Sequence, residues 1–246
     1  MKRSGESNPD VRDQTMRAMI LAAGRGERMR PLTDACPKPL LPVGGKPLIV
    51  WQIERLAAGG WRDIVINTGW LGEQIPAALG DGARWGVRLR YSMEPAQAYE
   101  TGGGIATAQP LLEQAPFLVV SGDIYTTFDY ARLQAVARAI AADPQHTAAH
   151  LVLTPNPEHN LGGDMALDAQ GRIRREGDRL NYGNIGVFHP ALFAGQPRAR
   201  AWKLFPWLYG AVEAGRVSGE VFSGLWHNVG TPEQLAALDA QSRAVD

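Results

Sequence analysis

Segments of strand-like and helix-like apolar pattern alternate through the first 155 residues of this 246-residue chain. Residues 63–67 and 117–120 are short runs of aliphatic character, whereas residues 48–58 carry apolar side chains at helical spacing and end at Gly59 and Gly60. Alternation of this kind predicts parallel strand–helix–strand units, whose ligand site lies where the strands end. The pattern predicts strands at 19–23, 63–67, 87–91, 117–120 and 147–153, and helices at 48–58, 71–79, 104–114 and 129–142.

The pattern changes after residue 155, where glycines and short strands replace the regular alternation. Strands at 164–167 and from 173, joined by a turn at 168–171, predict a hairpin that forms a lid or a wall of a ligand site. A strand at 184–188 and a helix at 202–214 follow. We therefore predict a single domain over 17–246, divided into halves at 17–155 and 156–246, after a flexible extension at 1–16.

The composition excludes several classes of partner. Twenty-five basic and twenty-five acidic residues cancel, so no overall charge attracts the chain to nucleic acid or to an anionic membrane. No run approaches the eighteen consecutive apolar residues of a membrane-spanning helix, and the first sixteen residues lack the apolar core of a signal peptide. The single cysteine, Cys36, fits a reducing compartment. These features predict a cytoplasmic protein, and we expect a monomer.

A loop rich in glycine and arginine follows the first strand. Gly24 and Gly26 allow backbone N–H groups to approach an anion, and arginine and lysine side chains pair with phosphate oxygens. The glycines alone are equally compatible with a solvated loop. The run that carries this pattern is Leu21-Ala22-Ala23-Gly24-Arg25-Gly26-Glu27-Arg28-Met29-Arg30-Pro31-Leu32-Thr33, followed by Pro37-Lys38-Pro39-Leu40-Leu41-Pro42.

This segment resembles the signature of the sugar-1-phosphate nucleotidyltransferases, and the resemblance extends over roughly residues 17–241. It implies a Rossmann-like three-layer αβα fold with a mixed, mostly parallel central sheet, a nucleotide-binding half at 17–155 and a sugar-phosphate-binding half at 156–246. It also implies that Arg28, Lys38 and Asp123 are catalytic. The implied nucleotide-binding residues are Leu21, Ala22, Ala23, Gly24, Gly26, Glu27, Arg28, Lys38, Gln97, Gly102 and Gly103.

Two positions are implied to hold Mg²⁺. Asp123 follows an apolar strand in a Gly-Asp pair, and Mg²⁺ typically takes one or two carboxylates together with substrate phosphates. The family has a second metal carboxylate in a Trp-x-Asp-x-Gly-Thr-Pro pattern, but this chain has Asn228 at that position. Either Asn228 is a neutral ligand or Asp123 alone holds the metal.

The segment from Glu94 to Ile105, with its Glu-Thr-Gly-Gly-Gly-Ile run, resembles the N-acetylmuramic acid 1-phosphate uridylyltransferases of cell-wall recycling. This resemblance implies transfer of UMP from UTP to N-acetylmuramic acid 1-phosphate, with release of pyrophosphate. The residues implied to bind the sugar phosphate are Glu100, Thr101, Asp164, Asn184 and Gly186.

One expected residue is missing. Many relatives contact the sugar phosphate with a lysine in the middle of the chain, but here the only lysine beyond Lys46 is Lys203. Arg174, Arg175 or Lys203 are the possible replacements. Two alternative functions stay open: a guanylyl- or uridylyltransferase acting on mannose or glucose 1-phosphate, and an inactive regulator that binds a nucleotide sugar.

Overall fold

The computed structural model describes residues 16–243. The predicted flexible extension at 1–16 lies outside this range except for Met16, and its flexibility stays a prediction. Among the described residues, no helix combines the length and the apolar character needed to cross a bilayer.

A nine-stranded mixed sheet forms the centre of the molecule. Its parallel part has the order β6-β1-β4-β5, and β11 joins β6 in antiparallel orientation. On the other side, β11 pairs with β8 and with the hairpin of β9 and β10, and β12 runs parallel to β8. The strands are β1 (Arg17–Ala22), β2 (Pro42–Val43), β3 (Lys46–Pro47), β4 (Asp63–Thr68), β5 (Arg88–Met93), β6 (Phe117–Ser121), β7 (Ile124–Thr126), β8 (Ala149–Thr154), β9 (Met165–Leu167), β10 (Ile173–Arg174), β11 (Arg179–Phe188), β12 (Val217–Val221) and β13 (Trp226–Asn228).

This topology confirms the mixed, mostly parallel α/β fold and the predicted hairpin after residue 155. The sheet continues across residue 155, and the division into two halves stays a prediction. Two small antiparallel pairs, β2 with β3 and β7 with β13, lie outside the main sheet. The helices are α1 (Leu48–Ala58), α2 (Gln74–Leu79), α3 (Glu100–Leu112), α4 (Arg132–Ala142), α5 (Leu204–Trp207), α6 (Tyr209–Glu213) and α7 (Pro232–Arg243).

Side-chain alternation along the strands creates two apolar layers. Ala18, Ile20 and Ala22 of β1 face a cluster that contains α1, α2 and α4, while Met19 between them faces a second cluster with α3, α5 and α6. Because both faces are covered, β1 and β4 consist of almost continuous buried residues. This packing is the three-layer arrangement that the resemblance implies.

The predicted helix at 202–214 is wrong as a single element. Phe205 has an extended backbone (φ −107°, ψ 134°), and the segment divides into the short helices α5 and α6. Pro206 explains the extended conformation of Phe205, because proline disfavours helical geometry in the residue before it. The aromatic residues of the segment still pack against the second apolar cluster.

Candidate active site

A cavity of about 500 Å³ lies at the edge of the sheet where β1, β4, β5 and β6 end. This is the edge where parallel sheets bind ligands. Nine of the eleven predicted nucleotide-binding residues line it, as do Asp123, Glu100 and Thr101. The lining consists of Leu21, Ala22, Ala23, Gly24, Arg25, Gly26, Glu27, Arg28, Lys38, Pro39, Asn67, Glu94, Gln97, Ala98, Glu100, Thr101, Ser121, Asp123 and Gly230.

The glycine loop takes its shape from Gly26. Gly26 has φ +66°, a left-handed conformation that suits glycine, and its carbonyl accepts hydrogen bonds from Met29 N (2.9 Å) and Thr33 Oγ1 (2.8 Å). A Cβ atom at this position would lie 3.1 Å from the Cβ of Lys38. Gly26 is therefore needed both for the turn and for the close approach of Lys38.

Backbone donors of this loop are available to a ligand. In the part of the chain that the structure describes, the N–H groups of Gly24, Arg25 and Gly26 have no hydrogen-bond acceptor. Arg25 stacks on the ring of Trp70, with its guanidinium carbon 3.6 Å from the ring centroid. Free N–H groups in succession at a strand end form an anion-binding concavity, so the loop is suited to phosphate.

Lys38 and Asp123 meet across the cavity. The Nζ atom of Lys38 donates to Oδ2 of Asp123 at 2.6 Å, and the lysine is 8% exposed. The pair joins the loop after β1 to the turn after β6, which are 85 residues apart in the chain. A buried cation beside a carboxylate is the arrangement that can hold phosphate oxygens and a metal ion at neighbouring points.

A buried network connects the glycine loop to the segment before α3. Asn67 Oδ1 accepts from Ala22 N (2.8 Å), and Asn67 Nδ2 donates to Glu94 Oε1 (2.7 Å). Glu94 Oε2 accepts from Tyr99 N (2.7 Å). Burial raises the pKa of the Glu94 carboxyl, while the hydrogen bonds from Asn67 and Tyr99 oppose that shift.

Asn67 and Glu94 have no role in the predictions made from the sequence. A signal is present, because Asn67 lies at the end of β4 and Glu94 directly follows β5, just as Asp123 follows β6. Polar residues that end adjacent parallel strands meet at one edge of the sheet. Applying that rule to every strand, rather than to β1 and β6 alone, identifies both residues.

Gly102 and Gly103 are predicted to shape the nucleotide cleft, but they do not line it. A Cβ atom on Gly102 would lie 2.2 Å from the ring of Trp202, and one on Gly103 would lie 2.0 Å from the carbonyl oxygen of Arg200. Gly103 N also donates to Trp202 O at 3.1 Å. The glycines are therefore needed for close packing of the segment 199–203 against α3.

The predicted sugar-phosphate residues divide into two groups. Glu100 and Thr101 line the cavity, at the start of α3. Asp164 does not: it is exposed and its carboxylate accepts from Tyr182 N (2.7 Å) and Asn160 Nδ2 (3.2 Å), so it holds a loop to β11.

Gly186 also lies away from the cavity. It is a buried residue of β11, and a Cβ atom built on it would lie 3.0 Å from the side chains of Leu151 and Phe188. Because core side chains surround this position, Gly186 serves the packing of the sheet, and its role in sugar binding stays a prediction.

Asn184 lies outside the cavity lining but close to the sheet edge. It has φ +55° at an irregularity of β11 and precedes Ile185, which pairs with Val120 of β6. Its role in sugar binding stays a prediction.

Two of the three candidate replacements for the missing lysine already have partners. Arg174 pairs with Asp168 at 2.8 Å, and Arg175 pairs with Glu213 at 2.6 Å. Lys203 is exposed and forms no ion pair within residues 16–243. The structure therefore favours Lys203 as the basic residue that is free to bind an anion.

The two predicted metal ligands lie on neighbouring segments but line different cavities: Asp123 lines the cavity of about 500 Å³, whereas Asn228 lines one of about 230 Å³ with Trp226 and His227. Asn228 is the last residue of β13 and pairs with Ile124, while Val229 N donates to Asp123 O at 2.9 Å. The Oδ1 atom of Asn228 is buried and has no hydrogen-bond partner among the described residues. A carboxylate and an unpartnered amide oxygen on adjacent strands are ligand types that Mg²⁺ accepts.

Comparisons with known proteins agree with this geometry. A model of the nucleotidyl transferase family matches residues 17–176. An N-acetylmuramate alpha-1-phosphate uridylyltransferase of Neisseria meningitidis serogroup B is 49% identical over 232 residues, which cover 93% of this chain and 99% of that protein. A protein of the same name from Caulobacter vibrioides is 36% identical over 235 residues, which cover 91% of this chain and 96% of that protein.

The fold is shared with solved structures as well. A Bacillus anthracis protein, provisionally assigned as a glucose-1-phosphate thymidylyltransferase and crystallised with sucrose, superimposes with a TM-score of 0.77 at 22% identity. The match covers 94% of this chain and 96% of that one. The cavity at the sheet edge, the glycine loop and these matches lead to one conclusion: the chain belongs to the nucleotidyl transferase family.

Proposed function

We propose that this protein transfers UMP from UTP to N-acetylmuramic acid 1-phosphate, giving UDP-N-acetylmuramic acid and pyrophosphate. The observation that carries the proposal is the cavity in which free N–H groups of Gly24, Arg25 and Gly26 face the buried pair of Lys38 and Asp123. The names of the two relatives at 49% and 36% identity support the choice of UTP and of this acceptor. We expect the reaction to take place in the cytoplasm and the enzyme to act as a monomer.

The chemistry needs no nucleophile from the protein. An oxygen of the acceptor phosphate attacks the α-phosphorus of UTP, the new P–O bond forms, and the bond to the bridging oxygen of pyrophosphate breaks, so that pyrophosphate leaves with the electron pair. Two unit negative charges about 4 Å apart repel by roughly 4 kcal/mol at an effective dielectric of about 20. Catalysis therefore consists mainly of alignment and charge neutralisation.

Two basic side chains and the N–H groups of the loop divide this task. Lys38, which is already buried beside Asp123, neutralises the α- or β-phosphate, and the loop N–H groups bind the triphosphate. Arg28 lines the cavity on the side of Gly230 and neutralises the leaving pyrophosphate. Arginine suits that role, because its planar guanidinium pairs with two phosphate oxygens at once.

Mg²⁺ is the divalent ion that we assign to the site, and Asp123 and Asn228 would hold it. When bound, such an ion stabilises the charge that develops on the transferring phosphoryl oxygens. Asp123 and Asn228 contribute a carboxylate and an amide oxygen beside the paired strands β7 and β13. Lys38 remains within hydrogen-bond distance of the same carboxylate and fixes its orientation.

Lys203 is our candidate for the acceptor phosphate. The segment before it follows α3 towards the cavity, with Ala199 N donating to Thr107 Oγ1 (2.9 Å) and Trp202 N donating to Tyr99 O (3.1 Å). Glu100 and Thr101, the next residues of that turn, line the cavity. Lys203 directly follows Trp202 and does not line the cavity, but it is exposed and its charge is unpaired within the described part of the chain.

Pyrophosphate release from defined substrate pairs tests the proposal. We expect UTP with N-acetylmuramic acid 1-phosphate to give the highest kcat/KM among pairs that include GTP with mannose 1-phosphate and UTP with glucose 1-phosphate. A higher kcat/KM for another pair would mean that the acceptor sugar or the nucleobase differs from the one proposed. Nucleotide binding without release in any pair would instead support an inactive regulator.

A further inference from the structure

The turn after β4 packs against the back of the glycine loop. Trp70 lies in this turn, where its backbone N donates to Ala23 O at 3.3 Å and its indole Nε1 donates to Thr33 O at 2.9 Å. A Cβ atom on Gly69 would lie 2.6 Å from the Ala23 carbonyl oxygen, so this close approach requires glycine. Because Ala23 and Thr33 flank the loop, these contacts fix the indole ring against both of its ends.

The indole ring supports the side chain of Arg25. The guanidinium carbon lies 3.6 Å from the ring centroid, and Arg25 lines the cavity. Stacking covers one face of the guanidinium, whereas its N–H groups lie in its plane and stay available. Among residues 16–243 these groups have no hydrogen-bond acceptor, and the carboxylate of Glu27, which pairs with the charge, lies 3.9 Å away. Arg25 thus presents unused donors and a positive charge to the cavity.

A second stack of arginine on tryptophan shows how such a contact looks when the protein itself uses the donors. The guanidinium carbon of Arg84 lies 3.8 Å from the ring centroid of Trp85, and Nη2 of Arg84 donates to Ala78 O at 2.9 Å, near the end of α2. Neither Arg84 nor Trp85 lines the cavity. The two stacks therefore differ in the use of the donors, which serve the fold at Arg84 and stay unused at Arg25.

We infer that Trp70 is a positioning residue for the phosphate site, and that Arg25, held by the Trp70 ring, binds the outer phosphates of the nucleotide. The inference rests on the proposed function for the presence of a nucleoside triphosphate, but not on the identity of the base or the acceptor. Arg25 lies on the β4 side of the loop, whereas Lys38 pairs with Asp123 on the β6 side. Arg25 therefore acts away from the reacting bond and strengthens nucleotide binding more than the chemical step.

The stack acts by preparing the arginine for binding. A mobile arginine side chain loses rotamer freedom when it binds an anion, and this loss opposes binding. The Trp70 ring imposes part of the loss in the free protein, so that less of it remains to oppose binding of the nucleotide. Replacement of Trp70 should consequently weaken nucleotide binding only while Arg25 is present, because the ring acts through the guanidinium.

Calorimetric titration with UTP and with UMP, without an acceptor, tests the inference, because only UTP carries the outer phosphates. We expect Arg25→Ala to weaken UTP binding by roughly 10- to 100-fold, as for loss of a charge-assisted contact, and to leave UMP binding unchanged. Trp70→Leu should weaken UTP binding by about 3- to 10-fold in the wild-type background and not at all in the Arg25→Ala background. Trp70→Phe retains a ring and should lose less affinity than Trp70→Leu. Arg84→Ala and Trp85→Leu are the matched controls, and both should bind UTP like wild type.

Three results would overturn the inference. Equal weakening of UTP and UMP binding by Arg25→Ala would place Arg25 away from the outer phosphates. A loss of affinity on replacing Trp70 that persists in the Arg25→Ala background would mean that the ring acts on the loop and not through the guanidinium, and Trp70→Phe keeps this test if Trp70→Leu does not fold. Absence of UTP and GTP binding by wild type would remove the phosphate site.

Failure of the proposed function has a different signature. If wild type bound GTP and GMP in place of UTP and UMP, with the same pattern among the variants, the base in the proposed function would change and the roles of Trp70 and Arg25 would be supported. Because no acceptor is present in these titrations, the outcome of the acceptor assay does not affect them.

Discussion

The two sides of the cavity are built differently. On the nucleotide side, polar groups lie at the ends of β1, β4, β5 and β6 and are fixed by buried contacts such as Lys38–Asp123 and Asn67–Glu94. On the proposed acceptor side, the three candidate basic residues lie outside the cavity lining, in exposed loops and the hairpin, and two of them pair with neighbouring acids. From this difference we infer that the sheet preforms the proposed nucleotide site, whereas we propose that acceptor choice depends on a few exposed side chains such as Lys203.

The largest effect should come from the nucleotide side. Lys38→Ala removes the buried cation of the cavity, and we expect kcat to fall by roughly 10²–10³-fold, as for loss of one preorganised charge-stabilising group. Lys46→Ala is the control, because Lys46 pairs with Glu54 and does not line the cavity. Steady-state kinetics with both variants, after circular dichroism confirms folding, measures the difference. Full turnover by folded Lys38→Ala would refute the assignment.

A smaller and more selective effect is expected on the acceptor side. Lys203→Ala should raise KM for the sugar phosphate by about 10-fold or more while KM for UTP changes little, because one charge-assisted contact is lost. Arg198→Ala removes an exposed charge from the same loop and serves as the control. Equal changes in both KM values would place Lys203 on the nucleotide side or in a structural role, and the comparison between the two sides would fail.

A substitution at Gly103 tests whether the first turn of α3 serves binding of the acceptor or of the nucleotide. Gly103→Ala places a methyl group against the Arg200 carbonyl, so the segment that leads to Lys203 must shift. We expect KM for the acceptor to rise about 3- to 10-fold, with a loss of stability of roughly 1–3 kcal/mol from overpacking. Gly210→Ala, in open space on α6, should stabilise by up to about 1 kcal/mol and leave both KM values unchanged. A selective rise in KM for UTP would instead restore the nucleotide role predicted from the sequence.

Local pattern predicts the nucleotide side well. The helix at 48–58 has the predicted bounds, and the loop after β1 lies at the carboxyl edge with Asp123 as expected. Both features depend on short-range periodicity and on the rule that parallel strands share an edge. The Asn67–Glu94 contact joins residues 27 apart, and its exact partners depend on strand order and register.

The acceptor side is less predictable for a physical reason. The glycines at 102 and 103 indicate close approach, but sequence alone does not reveal what approaches, and Trp202 comes from a segment about one hundred residues later. By sequence, Arg174 and Arg175 are as available as Lys203, and only their positions beside acidic partners separate them from it. Side-chain pairing in exposed loops depends on tertiary contacts, which no local pattern encodes.

The smallest expected effect comes from comparing two carboxylates: the buried Glu94 at the cavity and the half-buried Glu220 of β12, which lies in the part of the sheet beyond β11. Burial raises the pKa of Glu94, so its stabilising contribution is complete below the unfolded-state pKa and is lost as the pH rises through the folded-state value. The imidazole of His150, whose Nε2 lies 3.5 Å from Glu220 Oε1, and the guanidinium of Arg132 lower the pKa of Glu220, so its contribution is present above the unfolded-state pKa and is lost as the pH falls through the folded-state value.

Urea unfolding of Glu94→Gln and Glu220→Gln between about pH 3.5 and 7 measures these opposite slopes. Relative to wild type, Glu94→Gln should become comparatively more stable as the pH rises above about 4.5, the ordinary glutamate range. Glu220→Gln should be less stable than wild type at higher pH. The difference in the free energy of unfolding should disappear only as the pH falls below that value, because Glu220 of wild type then becomes protonated and loses its ion pair. If the free energy of unfolding relative to wild type changed with pH in the same direction for both variants, the pKa values of the two carboxylates would not be shifted in opposite directions. The contrast between the preformed nucleotide side and the rest of the sheet would then lose this support.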